Sequence, residues 1–289
     1  MKRMRTTKKS ITDFLARKHL QEDPIWERIL ERCRHEREIV KVYGSEMRPR
    51  SDQSFTGRLV VVLVFTNRSG SNFLCDCLRA TGKFELAGEA LNWELVAKRT
   101  ARHAILSFPD YCFQQIANIG DPAKQVVVKA GIKQLLMLWK YGIVGPEGLF
   151  RNTKYVLIER RDVLAQAVSY SIADQTRQFT SRQSTKKSEP QFHPEDIQKR
   201  LTGILHQNAL SKEFFSSVDV PVFQILYEAL VRNRPKILGR LAEFLEMESL
   251  EVDETEIALE KQRTNINGQF EKRYKQLMTE NFQNWARQQ

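Results

Sequence analysis

Cysteine is scarce in this 289-residue chain, and its four positions, Cys33, Cys75, Cys77 and Cys112, follow no metal-ligand or disulfide-framework spacing. Reduced core thiols are the expectation, and a disulfide-stapled domain is not. Long apolar runs are also missing. The longest, Leu59 to Phe65, falls far short of the ~20 residues that a membrane-spanning helix needs. The first twenty residues, MKRMRTTKKSITDFLARKHL, carry seven Lys/Arg and one acid but no apolar core or cleavage site, so they do not read as a secretory signal. A cytoplasmic protein is expected, peripheral to the inner face of a membrane if the basic residues touch lipid. Acidic residues are in deficit, 35 against 46 Lys and Arg, which leaves a net charge of +11. Such a balance favours an anionic partner, but charge alone does not choose among nucleic acid, acidic lipid and a phosphorylated small molecule.

What is present is ordinary for a globular protein: 41% apolar and 28% charged residues. The length suits one large domain with accessory segments. Residues 1–55 read as a basic helical N-terminal arm, in which DPIWERILERCRHEREIVKVY has helical apolar spacing. The arm is either a solvated flank or a contact with a membrane surface or an anionic polymer, and its apolar faces could serve a homodimer. GSEMRPRSDQSFTG reads as a linker into a main domain at 56–289. That domain opens with a strand at 58–66 and a helix at about 70–81. Further apolar runs at 124–130, 154–160 and 220–226 each precede a helical pattern. TSRQSTKKSEPQFH reads as a mobile loop or substrate lid, and the C-terminal stretch as a helix.

Continuous apolar strands alternating with helices predict an α/β fold, a three-layer αβα arrangement with a central parallel sheet. Ligands of such sheets bind at the carboxyl ends of the strands. By that rule the turn after the first strand, Lys129, and Arg160–Arg161 share one edge. The turn itself, TNRSGSN, joins a buried strand to a helix, so its N–H groups and the helix dipole suit an anion. Gly70 permits close backbone approach, and Ser71 and Asn72 add side-chain donors. The GK[ST] of a triphosphate-binding loop is absent, which points away from a donor with a metal-bridged triphosphate. In YVLIERRDVLAQAVSYSIADQTRQF, Asp162 is a candidate helix cap and Ser169 follows Arg161 by eight residues. Arg161 at a strand tip and Ser169 on the second helical turn could reach one phosphate. An Arg–Asp surface pair and a back-bonded serine are the alternative.

NRSGSNFLCDCLRATG and ERRDVLAQAVSYSIADQT together resemble the bacterial trehalose-sulfotransferase-type carbohydrate sulfotransferases, which use 3′-phosphoadenosine 5′-phosphosulfate (PAPS). GEALN at 88–92 is similar to the corresponding stretch of rhizobial nodulation sulfotransferases, and ILYEALVRNRPKILGRLAEFLEM to a stretch common across PAPS sulfotransferases. The likeness spans about residues 58–285 and omits the arm. It implies the P-loop NTPase-like sulfotransferase fold, with Arg68, Ser69, Gly70, Ser71 and Asn72 on the 5′-phosphosulfate and Arg161 and Ser169 on the 3′-phosphate. It further implies a basic loop over the nucleotide within EKQRTNINGQF, where Arg263 is carried over and Lys261 could serve as well. No metal and no nucleic acid are expected.

An acceptor hydroxyl needs a base. No histidine lies in the turn or just after its helix, whereas Glu89, in LAGEALN, returns toward the strand ends, and the resemblance assigns a glutamate here as general base. A helix-capping or salt-bridged surface acid is its alternative. Lys129 either touches sulfate or acceptor, or reaches solvent. Trp93 and Trp139 either stack on sugar rings or belong to the core. The implied acceptor is a sugar, glycolipid or lipopolysaccharide. A P-loop-like kinase and a non-catalytic module for anionic ligands are the competing functions.

Overall fold

The computed structural model describes residues 31–50, 52–55, 57–179, 189–257 and 265–288. Expectations for residues 1–30, for most of the polar loop (180–188) and for Lys261 and Arg263 lie outside the described residues. Helix α1 is Arg34–Tyr43, β1 is Val60–Phe65, α2 is Ser71–Ala80, β2 is Phe84–Gly88 and α3 is Trp93–His103. Then come α4 (Phe108–Cys112) with a π-helical turn at Phe113–Ala117, β3 (Gln125–Ala130), α5 (Ile132–Lys140), β4 (Thr153–Glu159) and α6 (Val163–Thr176). The chain continues through α7 (Pro194–Ser217), β5 (Val222–Leu226), α8 (Tyr227–Arg232), α9 (Arg234–Leu245) and α10 (Asn265–Gln288).

The five strands form one parallel sheet in the order β2-β3-β1-β4-β5, flanked by helices, as the α/β expectation requires. Burial explains why these runs become strands. Every residue of β1 except Phe65 is buried, and so are the central four of β4, the pattern of strands covered on both faces. Strand β5 lies at an edge, and only Ile225 is buried in it. Strand β2 was not anticipated. Its sequence FELAG is short, half-buried over its last four residues and without a continuous apolar run.

The chain divides into two compact units, Met1–Val60 with Ala87–Thr153, and Val61–Leu86 with Lys154–Gln289. In the first, α1 is anchored by Ile39, fully buried, and by the Tyr43 ring, 5.9 Å from that of Phe108. Buried Glu36 accepts hydrogen bonds from Lys140 Nζ at 2.7 Å and Tyr141 Oη at 3.0 Å. The segment read as a linker is paired: Phe55 N–H donates to Leu149 O at 2.6 Å and Arg151 N–H to Phe55 O at 2.9 Å. The first strand begins two residues later than expected because Arg58 is engaged otherwise. Its guanidinium donates to the carbonyls of Ala117 at 2.8 Å, Asp121 at 2.6 Å, Lys124 at 3.1 Å and also Ile119, which holds the loop before β3.

In the second unit, α6 mixes apolar residues with small polar ones and buries Ala165, Gln166, Ala167, Val168, Ser171, Ala173 and Thr176, as suits a helix covered on several sides. Ala167 and Val168 join Ile197 and Ile204 of α7 and Tyr274 of α10 in one cluster, with Phe192, Phe270 and Met278 packed against it. The Asp162 side chain caps α6, accepting from Ala165 N–H at 3.0 Å. All four helices expected after the anticipated strands are present, as α2, α5, α6 and α8.

Candidate functional site

The turn between β1 and α2 is shaped by three backbone features. Ser69 N–H donates to Thr66 O at 3.1 Å, while Arg68 (φ 66°) and Gly70 (φ 94°) both adopt the left-handed region. For Gly70 the conformation and the surroundings make the same demand, since a Cβ there would lie 2.2 Å from Cδ2 of Tyr227. The turn is supported from α6. Fully buried Gln166 donates from Nε2 to Thr66 Oγ1 and to Asn67 O, both at 2.8 Å, and Asn67 Nδ2 donates to Tyr170 Oη at 2.8 Å.

Arg68 Nε donates to Ser169 Oγ at 3.0 Å, and its Nη1 to the Phe179 carbonyl. Two residues assigned to opposite ends of a nucleotide by resemblance are therefore neighbours. Burial, and next the Arg160 charge, push the Arg68 guanidinium below the ordinary arginine range, while the Tyr227 phenol opposes them. Two guanidiniums close enough to repel would be relieved by an anion. Ser69 and Ser71 are buried, Ser69 completely and with no hydrogen-bond partner for its Oγ, whereas Gly70 and Asn72 are half-buried. Arg161 is exposed, and its backbone N–H donates to both carboxylate oxygens of Glu228 at 3.1 Å. Glu228 also accepts from Asp162 N–H at 3.3 Å, so α8 fixes the chain at the start of α6.

In the other unit, Glu89 directly follows β2 and Lys129 is the penultimate residue of β3. Lys129 Nζ lies 2.7 Å from Glu89 Oε1, with the lysine side chain 5% exposed and the glutamate 49%. The solvent-reaching alternative for Lys129 is thereby removed. A buried ammonium needs its counter-charge, and Glu89 supplies one while about half of its side chain stays exposed. Backbone Asn92 N–H donates to Glu89 O at 2.9 Å, which shapes the turn into α3, and the Asn92 side chain caps that helix through Glu94 N–H at 2.9 Å. His35 of α1 accepts from Trp93 N–H at 3.3 Å through Nδ1. Burial, then the Arg34 charge, lowers the His35 pKa, with Glu89 and Glu94 pulling it up. Trp93 is half-buried beneath the Arg34 guanidinium, 5.2 Å from the ring centroid, and Trp139 packs against Gly145.

The sequence reading did not assign Arg160, Gln166, Tyr170 or Tyr227 to the site. Arg160 was visible as a strand-end arginine, but nothing in the sequence separated it from Arg161. Cys75, Cys77 and Cys112 are buried and outside any disulfide, as expected, whereas Cys33 is half-buried and caps α1, its Sγ accepting from Glu36 N–H at 3.4 Å; burial raises the Cys77 thiol to about 11. Among the described residues no helix is long and apolar enough to cross a membrane.

The Stf0 sulphotransferase family model matches residues 146–277, a little under half of the chain, in agreement with the resemblance read from the sequence. A search of curated proteins found no match. Among solved structures, mouse sulfotransferase SULT7A1 complexed with PAP aligns at 15% identity and a TM-score of 0.41, over 73% of this chain and 64% of that one. The alignment thus spans less than two thirds of the mouse protein. The sulfotransferase domain from the curacin biosynthetic pathway aligns at 17% identity and TM-score 0.44, over 71% and 77%. Retinol dehydratase in complex with retinol and PAP aligns at 14% identity and TM-score 0.43, over 88% and 85%.

Proposed function

We propose that this chain, whose residues 146–277 carry the Stf0 sulphotransferase match, moves a sulfuryl group from PAPS to a hydroxyl of a sugar, glycolipid or lipopolysaccharide acceptor. The observation that carries the reading is the Arg68–Ser169 hydrogen bond of 3.0 Å, which joins the turn after β1 to the helix after β4. A ligand with an anionic group at each end could engage both at once. The fit of the residues to such a donor is supported by the orphaned Ser69 hydroxyl and the mutual repulsion of Arg68 and Arg160. In this reading Arg68, Ser69, Gly70, Ser71 and Asn72 hold the phosphosulfate, and Arg161 and Ser169 the 3′-phosphate. By the resemblance alone Arg263 is assigned to the nucleotide, and residues 56–289 to the catalytic domain.

Glu89 takes the acceptor hydroxyl proton as that oxygen bonds to sulfur and the bond from sulfur to the bridging phosphate oxygen breaks. The products are the sulfated acceptor and adenosine 3′,5′-bisphosphate (PAP). Lys129, 2.7 Å from the Glu89 carboxylate, positions it and lies ready to touch sulfate or acceptor. Charge grows on the bridging oxygen, where turn N–H groups stabilise it, a contribution of ~2.7–4 kcal/mol per donor in comparable sites. The acceptor class rests on the GEALN resemblance, and the half-buried Trp93 ring beside this turn suits a sugar face.

The test is incubation of the full chain with labelled PAPS and a panel of disaccharides, glycolipids and lipopolysaccharide, followed by mass spectrometry for one added SO₃. Transfer to a panel member, lost in Glu89→Gln while PAP affinity persists, supports the reading. PAP binding without transfer to any acceptor, unaltered by that substitution, would favour a non-catalytic binder.

A further inference from the structure

Arg160 follows β4 immediately and has no part in the assignment above. Its guanidinium carbon lies 5.5 Å from the centroid of the Tyr227 ring. The same ring closes against Gly70, leaving no room for a Cβ. One aromatic side chain therefore connects Arg160 to the glycine of the anion-binding turn. The Arg160 Nε is buried and has no hydrogen-bond partner, a costly state for a charged donor unless a ligand completes it. Arg68, on the same turn, feels the Arg160 charge strongly enough for it to rank second only to burial among the influences on its titration. The neighbouring arginine differs: Arg161 is exposed and is not among the charges that act on Arg68, and its backbone N–H is held by Glu228.

We infer that Arg160 is a further anion-contact residue, serving the 5′-phosphosulfate end of the nucleotide beside Arg68 while Arg161 serves the 3′-phosphate. This rests on the sulfotransferase reading and divides the two adjacent arginines between the two ends of the donor. The planar guanidinium presents several donors in a fixed fork, so an oxygen of the anion can take the orphaned Nε–H while the stack on Tyr227 fixes the plane. Leaving-group charge at the 5′-phosphate would fall on the same fork.

The experiment compares wild type, Arg160→Gln and Arg160→Lys by calorimetric titration with PAP, adenosine 5′-monophosphate and adenosine 3′-monophosphate, with thermal melts of each protein as the check on folding. The glutamine variant is expected to bind PAP and the 5′-monophosphate roughly tenfold or more weakly. Its affinity for the 3′-monophosphate is expected to stay within about twofold of wild type, as a ligand lacking the contact requires. Arg160→Lys, which retains charge but loses the fork, should fall between the two and carries the same comparison if the glutamine variant does not fold. Equal weakening of all three ligands would reduce Arg160 to a structural support for Tyr227, and selective loss of the 3′-monophosphate would place it at the other end; either overturns the inference and leaves the sulfotransferase reading standing. If wild type binds none of the three, that reading falls and takes the inference with it.

Discussion

At Gly70, conformation and packing act together: the left-handed φ of 94° is available to glycine at little cost, and the Tyr227 ring occupies the place of any side chain. Gly70→Ala is expected to destabilise the fold by about 1–3 kcal/mol and to weaken PAP binding, read by denaturant melts and calorimetry. His35 offers a pH test. Its folded pKa is lowered, so the folded state takes up fewer protons than the unfolded chain near the usual histidine value of 6.5. Its contribution is therefore present above that pH and is lost as pH falls toward the folded pKa. Thermal melts at pH 7 and pH 5 should show a smaller acid-induced drop in His35→Asn than in wild type; an equal drop would deny the linkage. Gly70 was legible because a strand-to-helix turn without a glycine is hard to build. The separation of Arg160 from Arg161 was not, since it depends on Tyr227, a residue distant in sequence that packs over one arginine and not the other.

Among the elements, α6 carries the most of the candidate site: its cap Asp162, Gln166 beneath the turn, Ser169 against Arg68 and Tyr170 against Asn67. Asp162→Ala removes the cap and should cost about 1 kcal/mol in a denaturant melt, with a loss well under 0.5 kcal/mol arguing that the cap is redundant. Helix α1 is fastened through Glu36, whose side chain is 4% exposed against Lys140 at 24%. Glu36→Ala removes the bonds from Lys140 Nζ and the Tyr141 hydroxyl, and is expected to cost about 1.5–3 kcal/mol in global stability, read by a denaturant melt. Strands β1, β3 and β4 were readable because unbroken apolar runs have few other homes, and β5 because its run VPVFQIL precedes a helical pattern. Strand β2 escaped because pairing, rather than composition, makes FELAG a strand. The segment at 44–57 looked like a linker for the same reason: its order comes from Phe55 pairing with Leu149 and Arg151, far along the chain.

For the molecule as a whole, a net charge of +11 accords with an anionic ligand but does not identify one. The two strand-turn-helix units of the candidate site were legible because each short motif couples residue type to a position in its unit. The acceptor was not legible, because the exposure of side chains such as Trp93 is decided by packing and not by sequence. The central claim is that one nucleotide with anionic groups at both ends is held by the β1–α2 turn and the start of α6. Calorimetric titration of the full chain with PAP, without added divalent metal, tests it most directly. The account requires one-to-one binding, absent with adenosine and weakened by about 1.5–3 kcal/mol in Arg161→Ala; no heat of binding, or PAP and adenosine bound alike, would contradict it.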